Sequence, residues 1–276
     1  MEETNRKIVG ILMSLHGIDL TKFDAYFLER SVRKRIKETH CASEAAYFNI
    51  LENNKKEGII LLDSLNISYT DFFRNPLTFA VLERIILPSV ILKRGNARQK
   101  EIRIWSAACA GGQEAYSLAM LMEEQINEGT NKLNYRIFVT DLKGPQVNAA
   151  QEGRYAATDL NNLNLNRVNQ WFTRNGDTFT VKNELKKNID FSVFDLFNDQ
   201  LSCPPASIFG DFDLVICANI LFYYRPEYQN KIIKKISDSM AQGGYLVTGE
   251  TERDRLLKQN YIEVFPQSCI FQRMES

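Results

Sequence analysis

The sequence lacks the residue patterns that identify metal and disulfide sites. Its five cysteines are scattered and form no C-x-x-C pair, which argues against a zinc site or a disulfide framework. They indicate reduced, mostly buried thiols in a cytoplasmic protein. The two histidines, His16 and His40, lie far in sequence from the glycine-rich stretch described below. We therefore predict neither a metal site nor a Ser-His-Asp triad.

Long apolar runs and an excess of charge of one sign are also absent. No stretch reaches the roughly 18 apolar residues of a membrane span, and the charged N-terminus does not resemble a signal peptide. The 34 basic residues balance the 34 acidic ones, which argues against broad binding to nucleic acid. We expect a cytoplasmic globular chain without membrane insertion, and nothing in the composition demands more than a monomer.

A glycine-containing turn between a strand and a helix is the most informative stretch. Ile102, Ile104 and Trp105 predict a strand, and residues 107–112 carry little side-chain bulk, so their backbone can approach a ligand closely. Residues 113–124 then return to helical spacing. Neither G-x-G-x-x-G nor G-x-x-x-x-G-K-[ST] is present. A nucleoside without a pyrophosphate, such as S-adenosylmethionine, suits this turn, and an ordinary close strand–helix junction is the alternative.

Residues 1–76 predict an all-helical N-terminal domain and linker, with apolar residues at helical spacing and Ser43 as a helix N-cap. The basic run 30–37 is either a solvated helix face or a docking face for an acidic helical partner. After it, Ser68, Thr70 and Arg74 occupy a structured loop and could face one cavity, although the loop could also be a plain connector. A helix over 77–90 is expected to stop near Pro88.

Residues 77–276 alternate between strand and helix patterns, which predicts an α/β domain with a mostly parallel sheet and helices on both faces. The pair Asn175-Gly176 predicts a hairpin and a small antiparallel β-subdomain at about 172–188. Helices are expected near 113–128, 144–152, 165–173 and 226–241. The predicted strands are Ile102–Ser106, Tyr135–Thr140, Ile189–Val193, Phe212–Cys217, Gly244–Gly249 and a possible hairpin within Tyr261–Gln272.

Polar residues follow the predicted strands, where ligands of parallel sheets bind. Asp141 could accept hydrogen bonds from ribose hydroxyls, or it could be a helix N-cap. Asp195 and Leu196 are placed for the exocyclic amine and the ring face of adenine. The segment from Ala218 to Tyr224, in which Asn219 precedes several aromatic residues, could line a reaction cavity or cover the edge of the sheet.

Four motifs occur in one order along the chain. Together they resemble the chemotaxis receptor methyltransferases, the CheR family, over nearly its whole length. Thr70-Asp-Phe-Phe-Arg-Asn-Pro is similar to the family's T-x-F-F-R-D-P, and Trp105-Ser-Ala-Ala-Cys-Ala-Gly-Gly-Gln-Glu-Ala-Tyr-Ser is similar to W-S-A-A-x-x-x-G-E-E-P-Y-S. Asn219-Ile-Leu-Phe-Tyr matches N-V-x-x-Y, and Gly243-Gly-Tyr-Leu with Gly249-Glu-Thr-Glu resembles P-G-G-Y-L with G-x-S-E.

The resemblance implies a Rossmann-like methyltransferase domain that binds S-adenosylmethionine, an all-helical N-terminal domain and a small antiparallel β-subdomain. It implies methyl transfer to glutamate side chains of a receptor's cytoplasmic helical region, with S-adenosylhomocysteine as product. It also implies that the basic helix around Arg33, Lys34 and Arg35 faces the receptor. Arg74 and Tyr223 are the implied catalytic residues. The candidate cofactor-binding residues are Ser68, Thr70, Arg74, Glu114, Asp141, Asp195, Leu196, Ala218 and Asn219.

The chain departs from the family pattern at five pocket positions. These departures motivate an alternative function, a regulatory or scaffold protein that binds S-adenosylmethionine with weak or lost methyltransferase activity. The departures are Ser68 for Asn, Gln113 for the first Glu of the G-E-E pair, Lys143 for an acidic residue, Asp195 for Asn and Ala218 for Arg.

Overall fold

The computed structural model describes residues 2–17, 19–65, 70–97, 100–128, 133–207 and 209–274. The chain divides into two compact units, and the first unit combines the N-terminal residues with a short segment from the second half of the chain. The predicted domain boundary at residue 76 and the subdomain range 172–188 stay predictions. The first unit comprises Met1–Ser68 and Leu221–Asn230, and the second comprises Tyr69–Ile220 and Lys231–Ser276.

Helices build the N-terminal part of the first unit, as predicted. Three of these helices begin with a side chain that accepts a hydrogen bond from the first turn: Asp24 accepts from Phe27 N at 3.0 Å, Ser43 from Ala46 N at 3.2 Å and Asn54 from Lys56 N at 3.0 Å. The cap predicted at Ser43 is thereby confirmed. Buried apolar side chains such as Leu12 pack between the helices. The helices are α1 (Glu2–His16), α2 (Ala25–Glu38), α3 (Glu44–Asn53) and α4 (Lys55–Ser64).

Helices and strands alternate from residue 101 onward. The predicted strands are all present, although the fifth begins at Met240 and not at Gly244. Helices α5 (Pro76–Val81) and α6 (Leu87–Gly95) precede the strands. The elements that follow are β1 (Glu101–Ala107), α7 (Gln113–Glu128), β2 (Asn134–Asp141), α8 (Gly144–Glu152), β3 (Arg154–Ala156), α9 (Leu165–Trp171), β4 (Phe172–Asn175), β5 (Thr178–Val181), α10 (Asn183–Lys186), β6 (Ile189–Val193), β7 (Phe212–Ile216), α11 (Pro226–Ser239), β8 (Met240–Val247), α12 (Arg253–Leu257), β9 (Tyr261–Glu263) and β10 (Ile270–Arg273).

The helix that was expected to stop near Pro88 continues past it, so this prediction is wrong. A π-helical turn, Leu82–Ile86, joins α5 directly to α6, and Pro88 lies in the first turn of α6. A proline inside a helix lacks an N–H donor and clashes with the carbonyl four residues earlier. The wider π turn changes the hydrogen-bond pattern immediately before the proline, so that the helix continues to Gly95.

The main sheet has seven strands in the order β6-β2-β1-β7-β8-β10-β9. The strands from β6 to β8 are parallel, and β10 is antiparallel to both β8 and β9. The chain proceeds from β1 outward through β2 to β6, and then returns to the other side of β1 with β7. This reversal creates a crevice between the carboxyl ends of β1 and β7, which is where parallel sheets bind ligands.

A second sheet has three antiparallel strands in the order β3-β5-β4. Gly176, with φ of 63°, turns the chain between β4 and β5, as the Asn-Gly pair predicts. The small antiparallel sheet is therefore confirmed, and β3 joins it without having been predicted. No helix among the described residues combines the length and the apolar character that a bilayer crossing needs.

Candidate functional site

The carboxyl ends of β6, β2, β1 and β7 lie side by side, because these strands are parallel neighbours. Asp195 follows β6, Asp141 ends β2, the glycine-containing turn follows β1 and Asn219 follows β7. The fold thus places four separately predicted segments along one edge of the sheet. We describe these segments and the loop of Arg74 as the candidate site.

The turn after β1 has an unusual backbone. Ala108, Ala110 and Gly112 have φ of 60°, 47° and 86°, a left-handed conformation that residues other than glycine seldom adopt. A Cβ atom at Gly112 would lie 2.8 Å from the Cβ of Ala150, so a side chain does not fit there. Backbone strain of this kind costs stability and occurs most often at ligand sites. Within this turn, Ala108, Ala110 and Gly111 are half-buried, so part of it faces the outside.

Asp141 holds the turn in this shape. Its Oδ2 accepts a hydrogen bond from Ala110 N at 3.0 Å, and its Oδ1 accepts one from Lys143 N at 3.0 Å. A carboxylate has about four acceptor positions, so Asp141 keeps capacity for the two hydroxyls of a ribose. The alternative that Asp141 is a helix N-cap does not hold, because the N-cap of α8 is Lys143.

Glu114 lies in the first turn of α7, which follows the glycine-containing turn in sequence. Ser106 Oγ donates a hydrogen bond to Glu114 Oε1 at 2.7 Å. Burial raises the pKa of the Glu114 carboxyl to about 7, against the opposing effects of the Ser106 hydrogen bond and the Arg74 charge, while Glu252 raises it further. The structure therefore brings Arg74, Glu114 and Glu252 within electrostatic reach of one another. Next to Glu114, Gln113 Oε1 is buried and accepts no hydrogen bond from the part of the chain that the structure describes.

The loop of Thr70 and Arg74 is held through its two phenylalanines. Phe73 has a left-handed backbone, with φ of 49°, and its N–H donates to Ser117 Oγ at 3.0 Å. The backbone oxygen of the buried Phe72 accepts from Asn162 Nδ2 at 3.1 Å. These bonds fix the backbone directly before Arg74.

Thr70 and Arg74 themselves are half-buried. Ser68 lies outside the described residues, as do the neighbouring residues 66, 67 and 69. The predicted cavity contact of Ser68 therefore stays a prediction.

The remaining candidates differ in how closely they join the site. Asn219 has φ of 61°, and its N–H donates to the Glu252 carboxylate at 2.9 Å, while Ala218 packs on the core beside it. Asp195 closes a local turn by accepting from Phe197 N at 2.8 Å, and Leu196 is buried.

Tyr223 belongs to the first unit. There its ring lies 4.7 Å from the ring of Phe27, between centroids, and its carbonyl accepts from Asp24 N at 2.8 Å. Within the second unit, the structure brings together Arg74, Glu114, Asp141 and Asn219. The catalytic role of Tyr223 stays a prediction.

Sequence reasoning did not single out the residues that form hydrogen bonds with the candidate residues or with the backbone around them. Ser106, Ser117 and Glu252 stand inside or next to quoted motifs, so their positions carried a signal that was not used. Tyr155 carried none: it belongs to the unpredicted strand β3, and its hydroxyl donates to Gly111 O in the turn at 2.8 Å.

The family description "CheR methyltransferase, SAM binding domain" matches residues 68–268, and "CheR methyltransferase, all-alpha domain" matches residues 6–65. The chemotaxis protein methyltransferase of Listeria innocua is 31% identical over 240 residues, which cover 86% of this chain and 85% of that protein. The chemotaxis protein methyltransferase of Borreliella burgdorferi is 29% identical over 255 residues, covering 90% and 87% respectively.

A third relative is much longer than this chain. It is an uncharacterized 104.1 kDa protein of Rhodobacter capsulatus, 29% identical over 246 residues. The similarity covers 89% of this chain and only 25% of that protein. A region similar to most of this chain therefore occurs within a larger polypeptide.

Proposed function

The chain belongs to the CheR family of methyltransferases, and on this premise we propose that it methylates glutamate side chains of chemotaxis receptors, forming methyl esters. It is an S-adenosylmethionine-dependent protein methyltransferase. The observation that carries the proposal is the site in which Arg74, Glu114, Asp141 and Asn219 converge at the switch point of the sheet, inside the region that matches the family's cofactor-binding domain. The receptor and the residue roles are the proposed part.

The residues present at the site fit S-adenosylmethionine. The half-buried, small residues Ala108, Ala110 and Gly111 would let a ligand approach the turn closely, and Asp141 has acceptor capacity for ribose hydroxyls. The unpartnered Oε1 of Gln113 and the carboxyl of Glu114 are acceptors suited to the cofactor's ammonium group. Asp195 and Leu196, on the neighbouring strand end, are the proposed adenine contacts.

S-adenosylmethionine supplies a methyl group on a sulfonium cation, which is electrophilic without further activation. The glutamate acceptor is already an anion at neutral pH, so the chain needs no general base. Its residues have to align the acceptor with the methyl group, and alignment of this kind contributes roughly 7 kcal/mol or more. Arg74 would hold a carboxylate of the cofactor or steer that of the substrate, and Tyr223 would orient the acceptor oxygen.

The proposed receptor surface includes the exposed basic residues of α2. Arg33 and Lys34 have side chains 66% and 69% exposed, so both are accessible to an acidic partner. Arg35 is not accessible in this way, because its side chain is 13% exposed and its guanidinium pairs with Glu57 and Glu38. We therefore remove Arg35 from the docking face. The proposal places a monomeric enzyme in the cytoplasm, next to the helical region of the receptor.

Transfer of labelled methyl groups tests the proposal. The protein is incubated with methyl-labelled S-adenosylmethionine and membranes that contain its own receptors, and base-labile label on the receptors is measured. We expect such label with the wild type, its loss in Arg74→Ala, and its retention in Arg84→Ala, which removes an exposed arginine outside the site.

The departures from the family pattern at Gln113, Lys143 and Ala218 favour the scaffold alternative. Binding of S-adenosylhomocysteine in calorimetry without any label on receptors would support that alternative and contradict the proposed transfer. Near-normal transfer by Arg74→Ala would remove Arg74 from the reaction.

A further inference from the structure

Glu252 is a buried carboxylate that the reaction itself does not require. It ends a short 3₁₀ turn, Glu250–Glu252, after β8, and only 2% of its surface is exposed. Three backbone N–H groups donate to it: Asn219 N at 2.9 Å, Ile220 N at 2.7 Å and Gly249 N at 2.8 Å. Hydrogen bonds to a charged acceptor in a buried setting are stronger than neutral ones.

Glu252 differs from an ordinary turn residue because two of its three donors belong to a different part of the chain. A capping interaction within the 3₁₀ turn explains the bond from Gly249 alone. The other two donors come from a loop more than thirty positions away in sequence, the loop that carries Asn219. Through these hydrogen bonds, Glu252 connects the segment after β8 with the loop after the neighbouring strand β7.

The side chain of Asn219 packs closely against the backbone of Gly249. A Cβ atom at Gly249 would lie 2.6 Å from Asn219 Oδ1 and 2.9 Å from Asn219 Cγ. Gly249 has φ of −77°, which any residue adopts, so its backbone does not require glycine. The absent side chain at Gly249 thus provides space for the amide of Asn219. Asn219 itself has a left-handed φ of 61°, a conformation that persists only when the surroundings enforce it.

We propose that Glu252 is a positioning residue for cofactor binding: its carboxylate fixes the backbone of Asn219 and Ile220, and Gly249 leaves the space into which the Asn219 side chain is directed. This inference rests on the proposed function, which assigns Asn219 to the cofactor. Glu252 acts through Asn219 and touches neither cofactor nor substrate in this scheme.

Glu252→Gln tests the proposal with little change of shape. The substitution replaces one carboxylate oxygen by an NH₂ group, so at least one of the three N–H donors then faces another donor. We expect the Kd for S-adenosylhomocysteine, measured by calorimetry, to rise at least about 10-fold. In the cofactor-free protein, amide hydrogen exchange measured by NMR should accelerate at Asn219 and Ile220.

Glu250→Gln is the matched control, since Glu250 is an exposed carboxylate of the same turn. It should leave both the Kd and the exchange rates unchanged. With receptor membranes, Glu252→Gln should raise KM for S-adenosylmethionine and leave kcat within about twofold, the pattern expected for lost binding. A merely structural role would lower the active fraction and the melting temperature, and would leave KM and Kd as in the wild type.

Gly249→Ala provides a second variant if Glu252→Gln does not fold. It leaves the Glu252 side chain unaltered and crowds Asn219, whose Oδ1, Cγ and backbone N would lie 2.6, 2.9 and 3.0 Å from the added Cβ, so the Kd should rise as well. In an Asn219→Ala background, Glu252→Gln should have no further effect on the Kd, because coupled residues are not additive.

The outcomes distinguish the inference from the proposed function. A wild-type protein that does not bind S-adenosylhomocysteine contradicts the proposed function. A wild type that binds, together with a Glu252→Gln variant that binds equally well, overturns only the positioning role. Full additivity of Glu252→Gln and Asn219→Ala would also overturn it.

Discussion

At the scale of single residues, burial in the folded protein sets the pKa of Glu114, an acid of the candidate site. Glu114 accepts a hydrogen bond from Ser106. The positive charge of Arg74 lowers the pKa of Glu114, and the negative charge of Glu252 raises it. Desolvation dominates, so the pKa of Glu114 rises from its ordinary 4.5 to about 7. The cofactor-free protein therefore carries a carboxyl that changes its charge near neutral pH.

This shift predicts a pH-dependent stability. A carboxyl whose pKa is higher in the folded state contributes stability that is fully present below pH 4.5 and is lost as the pH rises through about 7. The contribution amounts to about 3 kcal/mol at 1.36 kcal/mol per pKa unit. Glu114→Gln should remove it, so the free energy of unfolding of the variant should fall less between pH 4.5 and pH 8. Urea unfolding of both proteins checks this, and equal losses in both would contradict it.

Arg35 shows that a basic run on a helix can contain a structural residue. Two of its nitrogens donate to the Glu57 carboxylate at 2.9 and 2.8 Å, and the hydroxyl of the buried Tyr47 donates to the same group at 2.9 Å. Glu57 is itself buried. Removing Arg35 would therefore leave an uncompensated charge inside the helical unit.

We predict that Arg35→Ala lowers the free energy of unfolding by about 3–5 kcal/mol, since it breaks a buried ion pair. Arg33→Ala is the control, because the Arg33 side chain is 66% exposed, and it should change stability by no more than about 0.5 kcal/mol. Denaturant unfolding of the two variants distinguishes them. Equal stability of both variants would mean that the Arg35–Glu57 pair contributes little.

At the scale of elements, the small antiparallel sheet supports both loops of the site. Tyr155 on β3 donates to Gly111 O, and its ring lies 4.9 Å from that of Phe72, between centroids. Phe72 directly precedes Phe73 and Arg74 in the loop that carries Arg74. A single buried tyrosine thus contacts the turn after β1 and the loop of Arg74 at once. The position of β3 consequently affects both loops that are proposed to bind the cofactor.

Tyr155→Phe should weaken binding of S-adenosylhomocysteine about 5- to 10-fold, because the turn loses one hydrogen bond worth about 1 kcal/mol. Tyr116→Phe is a matched control: that hydroxyl donates at 2.7 Å to Ala150 O, outside the turn. Calorimetric Kd values for both variants provide the test. If the two substitutions weaken binding equally, the Tyr155 bond to the turn has no specific role.

At the scale of the whole molecule, cofactor binding should be linked to unfolding. A ligand at 100 times its Kd stabilises the folded state by about 2.7 kcal/mol. For a folded part of about 200 residues, this corresponds to a rise of roughly 5 to 10 °C in Tm. We predict this rise with S-adenosylhomocysteine and a smaller one in Asn219→Ala. A thermal scan that shows no rise would argue against the proposed pocket.

The same scan does not depend on methyl transfer, so it also serves the scaffold alternative. A scaffold that binds the cofactor should show the rise in Tm and no receptor label. An active enzyme should show both. The two measurements together therefore decide between the two functions for this chain.

The sequence by itself determined the alternation of strands and helices, the glycine-containing turn and the family motifs. Hydrophobic periodicity and turn residues are local signals, and they located β1, β2, β6 and β7 within one or two residues at each end. They also placed Asp141 and Asn219 at strand ends, where a parallel sheet binds its ligands. The stop expected at Pro88 failed because the adjoining π turn is not encoded by a local propensity rule.

Only the tertiary structure decided which polar groups meet. Glu252 reaches Asn219, Tyr155 reaches Gly111 and Arg35 reaches Glu57 across long separations in sequence. Hydrogen bonds and desolvation depend on distances between such groups, and no periodic pattern along one segment contains those distances. For this reason the sequence located the residues proposed to bind the cofactor, whereas the fold was needed to find the residues that hold them in place.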